Sequence, residues 1–291
     1  GLLDPVEAQE QAALLPDEAL LDEVTFLVEY PSAIMGTIPV EFLVVPKEVL
    51  ITSMRSHQRY FSVVDEAGKL LPYFITIPNT LAEDPSVVVK GNERVLRARL
   101  SDARFFFDED HKVTLESRVE SLKSVVYQQK LGTSFEKMER FRALAELLAD
   151  QLNPAVKQQA SRAAFLCKAD LVSGMVCEFP EVQGIMGREY ALHDGEEVAV
   201  ANAIAEHYLP TQAGGELPAS DIGAFVSLAD KLDTLCGCFS VGLIPTGAAD
   251  PYALRRATIG TISIILDKGY RLSLSGLINA SLDLLAARLT R

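Results

Sequence analysis

The texture of this chain changes once, near residue 110, and that change limits what it can fold into. Between Val24 and Ile77, short β-branched and aromatic runs at 25–30, 41–45, 49–54, 60–64 and 73–77 alternate with turn residues such as Pro31 and Pro46. Runs of this kind predict strands, and Asp65-Glu66-Ala67-Gly68 between the last two predicts a hairpin with antiparallel pairing. Residues 4–23, ahead of this region, are acidic with helical spacing. Val87-Val88-Val89 is again strand-like, and Asn92 then reads as the N-cap of a helix over 93–107 with Val95, Leu96, Leu100 and Ala103 inward.

From Thr114 onward the apolar residues recur at helical spacing. Phe135, Met138, Phe141, Ala145 and Leu148 fall on one helix face, and 160–176 is apolar all round, which predicts a central buried helix. Further helices are expected at 196–208, 220–237, 251–268 and 273–289. The fold class is therefore α+β: a mixed strand and helix domain over residues 1–111, followed by an all-helical domain over 112–291. A length of 291 residues suits two domains at roughly 100–200 residues each.

Composition excludes several alternatives. With 48% apolar residues the chain can bury a core, and it is too apolar for disorder. No stretch reaches the roughly 18 uninterrupted apolar residues of a membrane helix, so no membrane partner is expected. The net charge of −13 opposes nucleic-acid binding over the whole surface and leaves room only for a local basic patch; no DNA partner is expected. Cys167, Cys177, Cys236 and Cys238 form no C-x-x-C and read as buried, reduced thiols of a cytoplasmic protein. The chain opens Gly-Leu-Leu and closes at Arg291 inside an amphipathic run, so both ends read as cut from a longer polypeptide.

Three constellations could carry chemistry. His193-Asp194 could hold a divalent metal with His207 and Asp230, a set suited to phosphate ester hydrolysis; Asp170 and Asp233 are further candidate partners. Equally, Asp194-Gly195-Glu196-Glu197 reads as a capping box with Asp194 at the N-cap and Glu197 at N3. On the 220–237 helix, Asp233 falls inside the apolar stripe and Asp230 at its edge. Buried carboxylates need partners. The expected partner is Arg255, on a helix started by Asp250 at the N-cap and Pro251 at N1. Finally, Arg94, Arg97, Arg99 and Arg104 form a basic segment available to phosphate, and Arg256 is a further candidate. Neither a Gly-rich phosphate loop nor a G-x-S-x-G occurs.

Many short blocks in one order resemble the bacterial glycyl-tRNA synthetase beta subunit family. In the first part they are Ser56-His57-Gln58-Arg59-Tyr60-Phe61, Lys90-Gly91-Asn92-Glu93-Arg94-Val95-Leu96, Asp102-Ala103-Arg104-Phe105-Phe106-Phe107 and Leu122-Lys123-Ser124-Val125-Val126. In the second they are Cys167-Lys168-Ala169-Asp170-Leu171, Gln183-Gly184-Ile185-Met186-Gly187, His193-Asp194-Gly195-Glu196 and Leu217-Pro218-Ala219-Ser220. Ala229-Asp230-Lys231-Leu232-Asp233-Thr234-Leu235, Ile244-Pro245-Thr246-Gly247 and Asp250-Pro251-Tyr252-Ala253-Leu254-Arg255-Arg256-Ala257 complete the series.

The resemblance implies a middle fragment of that subunit, lacking the N-terminal part and the C-terminal anticodon-binding domain. Its first domain would be B3/B4-like and its second HD-like, after the HD phosphohydrolases. The implied function is tRNA recognition and subunit assembly within a heterotetramer that attaches glycine to tRNA(Gly). The alpha subunit would hold the catalytic site, and ATP and Mg would serve the whole enzyme, with no cofactor in this fragment. No catalytic residue is implied here. His193, Asp194, His207 and Asp230 would be remnants of an HD set with no metal. A metal-dependent phosphohydrolase and a purely structural subunit-interaction module remain the alternative readings.

Overall fold

The computed structural model describes residues 12–247 and 249–289. The chain divides into two compact units between Asp110 and His111.

The first unit is built on a four-stranded antiparallel sheet of order β1-β3-β4-β2, with β1 (Ala12–Leu14), β2 (Ile34–Thr37), β3 (Phe61–Asp65) and β4 (Leu70–Thr76). The predicted hairpin joins β3 to β4. Asp65 closes it by accepting the backbone N–H groups of Ala67 and Lys69, both at 2.9 Å. Helix α1 (Glu18–Leu27) is capped by the Asp17 carboxylate, which accepts from Leu20 N, and it packs Leu20 and Val24 onto Phe61, Val63 and Ile75 of the sheet. Of the acidic stretch at 4–23, residues 4–11 lie outside the described residues, and Ala12–Leu14 pairs as a strand.

Several apolar runs expected to be strands are helical. Residues 25–27 finish α1, 41–44 lie in a 3-10 helix (Val40–Val44), and 49–52 lie in α2 (Lys47–Thr52), which runs on into a π-helical turn (Ser53–Gln58). The burial of Val49, Leu50 and Met54 follows a helical period of one face, i, i+1 and i+5. Runs of four to six apolar residues do not fix the period, and tertiary packing decides it. The Val87-Val88-Val89 run likewise belongs to one continuous helix, α3 (Pro85–Asp110). Leu96, Leu100 and Ala103 face inward there as expected, while Val95 is exposed.

The second unit contains α4 (Leu115–Arg118), α5 (Ser134–Leu152), α6 (Lys157–Leu166), α7 (Gly174–Glu178), α8 (Ile185–His193), α9 (Val198–Glu206), α10 (Asp221–Ser240), α11 (Leu254–Lys268) and α12 (Leu274–Leu289). It also carries a two-stranded hairpin, β5 (Val126–Gln128) and β6 (Gly132–Thr133), so it is mostly rather than wholly helical. The expected continuous helix over 160–176 is broken. Helix α6 stops at Leu166, a 3-10 turn (Ala169–Val172) follows, and Ser173 caps α7 by accepting from Val176 N. The helix at the centre is α10, which buries residues on nearly every side, including Phe225, Val226, Leu228, Ala229 and Leu232. No helix among the described residues is long and apolar enough to cross a membrane.

Candidate functional site

The chemistry-bearing residues of the second unit converge where α5 crosses α10. Helix α5 opens with a full capping box, Thr133 and Glu136, which sets its first turn. One turn on, Lys137 and Arg140 stand at i and i+3, opposite Asp230 and Asp233 at i and i+3 on α10. The Arg140 guanidinium grips Asp233 as a fork, Nε to Oδ1 at 2.7 Å and Nη2 to Oδ2 at 3.0 Å. Lys137 Nζ lies 2.6 Å from Asp230 Oδ1 and 3.3 Å from Asp233 Oδ2, and donates to Thr234 Oγ1 at 2.8 Å. Lys168, in the break after α6, brings a second ammonium to Asp230, 2.9 Å from Oδ2. Its Nζ also sits 4.1 Å from the centre of the Tyr208 ring.

Lys137, Arg140, Lys168 and Asp233 are all buried. Burial alone would lower the two lysines, but the Asp230 carboxylate beside both, with Asp233 also beside Lys137, raises them above their usual range. Burial would raise Asp230, and the two ammonium groups hold it well below the usual carboxylate range instead. The arrangement is an interior network of ion pairs.

Beside it lie groups of the opposite character. Asp170, wholly buried, accepts the backbone N–H groups of Gly184 at 2.5 Å and Gly187 at 3.1 Å through Oδ2, and burial pushes its carboxyl up to about 6. Both glycines are required there. Gly184 sits at φ +79° with the Tyr208 ring 2.5 Å from where a Cβ would stand, and a Cβ on Gly187 would stand 2.7 Å from Ile204 Cγ2. His207 is buried with Nδ1 against the Ile204 carbonyl at 2.5 Å, and burial holds it well below its usual value, hence neutral. Asp170 Oδ1, His207 Nε2 and the Tyr208 hydroxyl are buried and meet no protein hydrogen-bond partner.

The residues expected to form a metal set are not brought together. His193 and Asp194 are exposed. The His193 ring stacks edge-on against His111, centroids 4.2 Å apart, and the Asp194 carboxylate accepts from Leu115 N at 2.6 Å, at the start of α4. His207 and Asp230 lie in the buried network, where two lysines already neutralise Asp230. No group of three or more His, Cys, Asp and Glu among the described residues could hold a metal ion. The side chains present do not fit the metal that an HD set implies.

Two structural expectations need correcting. Asp194 does not cap α9. The N-cap is Glu197, without a side-chain bond, because Gly195 at φ +86° turns the chain away first. The buried carboxylates are not paired with Arg255, which is exposed. Helix α11 starts three residues later than expected, at Leu254 after the left-handed Ala253, with Asp250 accepting from Leu254 N and Arg255 N, and that start turns Arg255 outward. Cys177 is also exposed, unlike the other three cysteines.

The profile described as "Glycyl-tRNA synthetase beta subunit" matches residues 3–290. The chain belongs to the glycyl-tRNA synthetase beta subunit family. Among the relatives, all named "Glycine--tRNA ligase beta subunit", one from Trichlorobacter lovleyi is 90% identical over 278 residues, covering 96% of this chain and 40% of the relative. One from Citrifermentans bemidjiense is 78% identical over 289 residues, covering 99% and 42%. One from Geobacter metallireducens is 81% identical over 278 residues, covering 96% and 40%. The chain thus spans about two fifths of the length of the curated relatives it matches.

In this family member the candidate RNA contacts differ in availability. Arg94 and Arg97 are exposed on α3 and form no ion pair among the described residues. Arg99 is half-buried, and Arg104 is engaged by Asp108 at 2.7 Å and the Glu41 carbonyl at 3.0 Å. Arg256 is exposed in the second unit. Sequence reasoning missed Lys137, Arg140 and Lys168. The signal for Lys137 existed: at 100° per residue it falls within the arc between Leu144 and Phe141 of the buried α5 stripe.

Proposed function

We propose that this chain is a tRNA-recognition and assembly part of glycine–tRNA ligase, working in the cytoplasm with an alpha subunit and tRNA(Gly). The extent of the family match, residues 3–290, carries the reading. In this reading the joining of glycine to tRNA, with its ATP and Mg, takes place on the alpha subunit, and the 1–111 and 112–291 portions act as B3/B4-like and HD-like scaffolds. The interior ionic network suits a scaffold: each of its carboxylates, Asp230 and Asp233, is matched by cations, which leaves no free base for hydrolysis. Arg94 and Arg97 suit backbone phosphate contacts, which position an RNA without reading its sequence.

The test uses the full-length protein assembled with its alpha subunit. Arg94→Glu with Arg97→Glu should weaken tRNA(Gly) binding at least about tenfold near 0.1 M salt and reduce the salt slope by about two. Glycine-dependent ATP–pyrophosphate exchange should be unchanged. Unaltered tRNA affinity would remove α3 as an RNA surface, and failure to assemble with the alpha subunit would remove the assembly role.

A further inference from the structure

A cleft of about 330 Å³ opens beside the buried network, between the Glu181–Gln183 turn, the Tyr208–Thr211 segment, α10 and the start of α11. Its size suits a single small group rather than a protein surface. The Arg256 guanidinium stands in its lining, exposed and without an ion pair among the described residues. Lys231 lines it too, and its ammonium is held only by neutral acceptors: Ser227 Oγ at 2.6 Å, the Leu209 carbonyl at 2.8 Å and the His207 carbonyl at 3.4 Å. Its three donors are engaged, so it contributes positive field rather than a free hydrogen bond.

Tyr208 lines the same cleft with a half-buried ring, while its hydroxyl is buried and without a protein partner. Burial raises that hydroxyl well above its usual range, so it stays protonated. Tyr252, 36% exposed, offers a ring at the rim. Beside it, Ala253 is held at φ +52°, a conformation that costs energy for a residue with a Cβ and that clusters at ligand sites.

Two carboxylates line the cleft. Asp230 is already faced by the Lys137 and Lys168 ammonium groups, and Glu181 is exposed at the edge. An entering anion therefore meets the Arg256 guanidinium and the Lys231 charge, inside a chain whose net charge is −13.

We propose that this cleft binds one phosphate of an RNA chain, with Arg256 as donor, the Lys231 charge behind it and the Tyr252 ring against the adjoining nucleotide. The assignment to RNA rests on the proposed function above; the anion chemistry rests on the cleft alone. A free nucleotide offers the same phosphate, so the experiment separates the two sources. The bound anion also makes a pH signature. Burial lowers Lys231 to about 8 in the free cleft, with Arg256, Lys168 and Lys137 adding to the depression and Asp230 opposing it. His207 stays neutral. Binding an anion favours the charged ammonium, so affinity should fall between pH 7 and 9.

The full-length protein with its alpha subunit is titrated with tRNA(Gly), and separately with AMP and inorganic phosphate. Arg256→Gln should weaken tRNA binding about tenfold and reduce the salt slope by about one. Tyr252→Ala, which removes the ring and no charge, should weaken it several-fold with an unchanged slope. Arg255→Gln, exposed but not lining the cleft, should bind within twofold of wild type. Lys231→Met should abolish the extra loss of affinity between pH 7 and 9. Competition of AMP with tRNA, lost in Arg256→Gln, would support the assignment. Wild-type binding and slope in both Arg256→Gln and Tyr252→Ala would overturn the cleft while leaving the tRNA role intact. Arg256-dependent binding of AMP that does not compete with tRNA would overturn RNA as the ligand. Complete absence of tRNA binding by wild type would overturn the proposed function, and this assignment with it.

Discussion

The two units keep their interiors differently. Among the described buried residues of the strand-containing unit, only Ser53, Ser62 and, at its very end, Asp110 are polar, and the rest are apolar or aromatic. The helical unit buries Lys137, Arg140, Lys168, Asp170, His207 and Asp233 in one region. A sheet with a helix on one face can turn every polar side chain outward, because neighbours in a strand point to opposite sides. A helix such as α10, surrounded on nearly all sides, has no outward face along its middle turns, so any polar residue placed there must find its partner inside. Such a network contributes little net stability relative to apolar residues of similar volume, but losing one member is costly. The first unit is therefore held by area and the second by matching.

The largest expected effect follows from that matching. Asp233→Ala leaves the Arg140 guanidinium buried without its carboxylate, with Lys137 keeping Asp230. Unfolding free energy should fall by roughly 3–5 kcal/mol. Since the chain has no tryptophan, hydrogen exchange resolved by segment is the better measurement, and protection should drop first in 134–152 and 221–240. The double variant Arg140→Leu with Asp233→Leu should recover most of the loss. A double variant as unstable as the single one would show that charge matching is not what holds α5 to α10.

The corresponding break in the first unit is Ile75→Ala, a fully buried side chain packed in the α1–sheet core. Loss of transfer energy plus a cavity should cost roughly 2–5 kcal/mol. The contrast lies in the response to pH. No ionised group takes part in that core, so the cost should be the same at pH 3 and pH 7, whereas the cost of Asp230→Asn should shrink as pH falls below about 4, because Lys137 and Lys168 hold that carboxylate well below its usual range. Equal pH responses of the two variants would erase the distinction between the units.

How much of this was legible in the sequence follows the same division. Helices α9 to α12 were readable because each repeats its apolar stripe over two turns or more, and the β3–β4 hairpin because Asp65 and Gly68 carry turn chemistry. The runs at 41–45 and 49–54 were misread because each is too short to show a period. In the network, Asp233 announced itself as a carboxylate on an apolar face, but its partner did not. Arg255 was the apparent cation on the apolar side of the next helix, whereas the cations that reach it come from α5, some 90 residues earlier. Lys168 carried no local signal, since it lies in a break between helices where no stripe exists to mark which way a side chain faces. The family resemblance, in contrast, was readable from short blocks spread over most of the chain, and the residues matched, 3–290, bear it out.

The smallest expected effect concerns Asp170, which sharpens the comparison inside the helical unit itself. Unlike Asp230, Asp170 has no cation in direct contact, and burial raises its carboxyl from 3.8 to about 6. The sign follows from where the proton sits. Below about pH 4 the group is protonated in both folded and unfolded chains and contributes nothing to the pH dependence. Between about pH 4 and 6 the folded chain still holds a proton that the unfolded chain has released, so stability from this group falls as pH rises. Above about 6 the folded carboxyl is ionised at full cost. Asp170→Asn can keep one oxygen for the N–H groups of Gly184 and Gly187 and does not ionise. Relative to wild type it should gain stability from pH 4 to 7, by roughly 1–3 kcal/mol in total, since two pKa units correspond to about 2.7 kcal/mol and a neutral amide is the weaker acceptor. Denaturant titrations of both proteins at pH 4, 5.5 and 7 measure the difference. A flat difference would mean that Asp170 is neutralised by its surroundings as completely as Asp230, and the helical interior would then contain one kind of buried carboxylate instead of two.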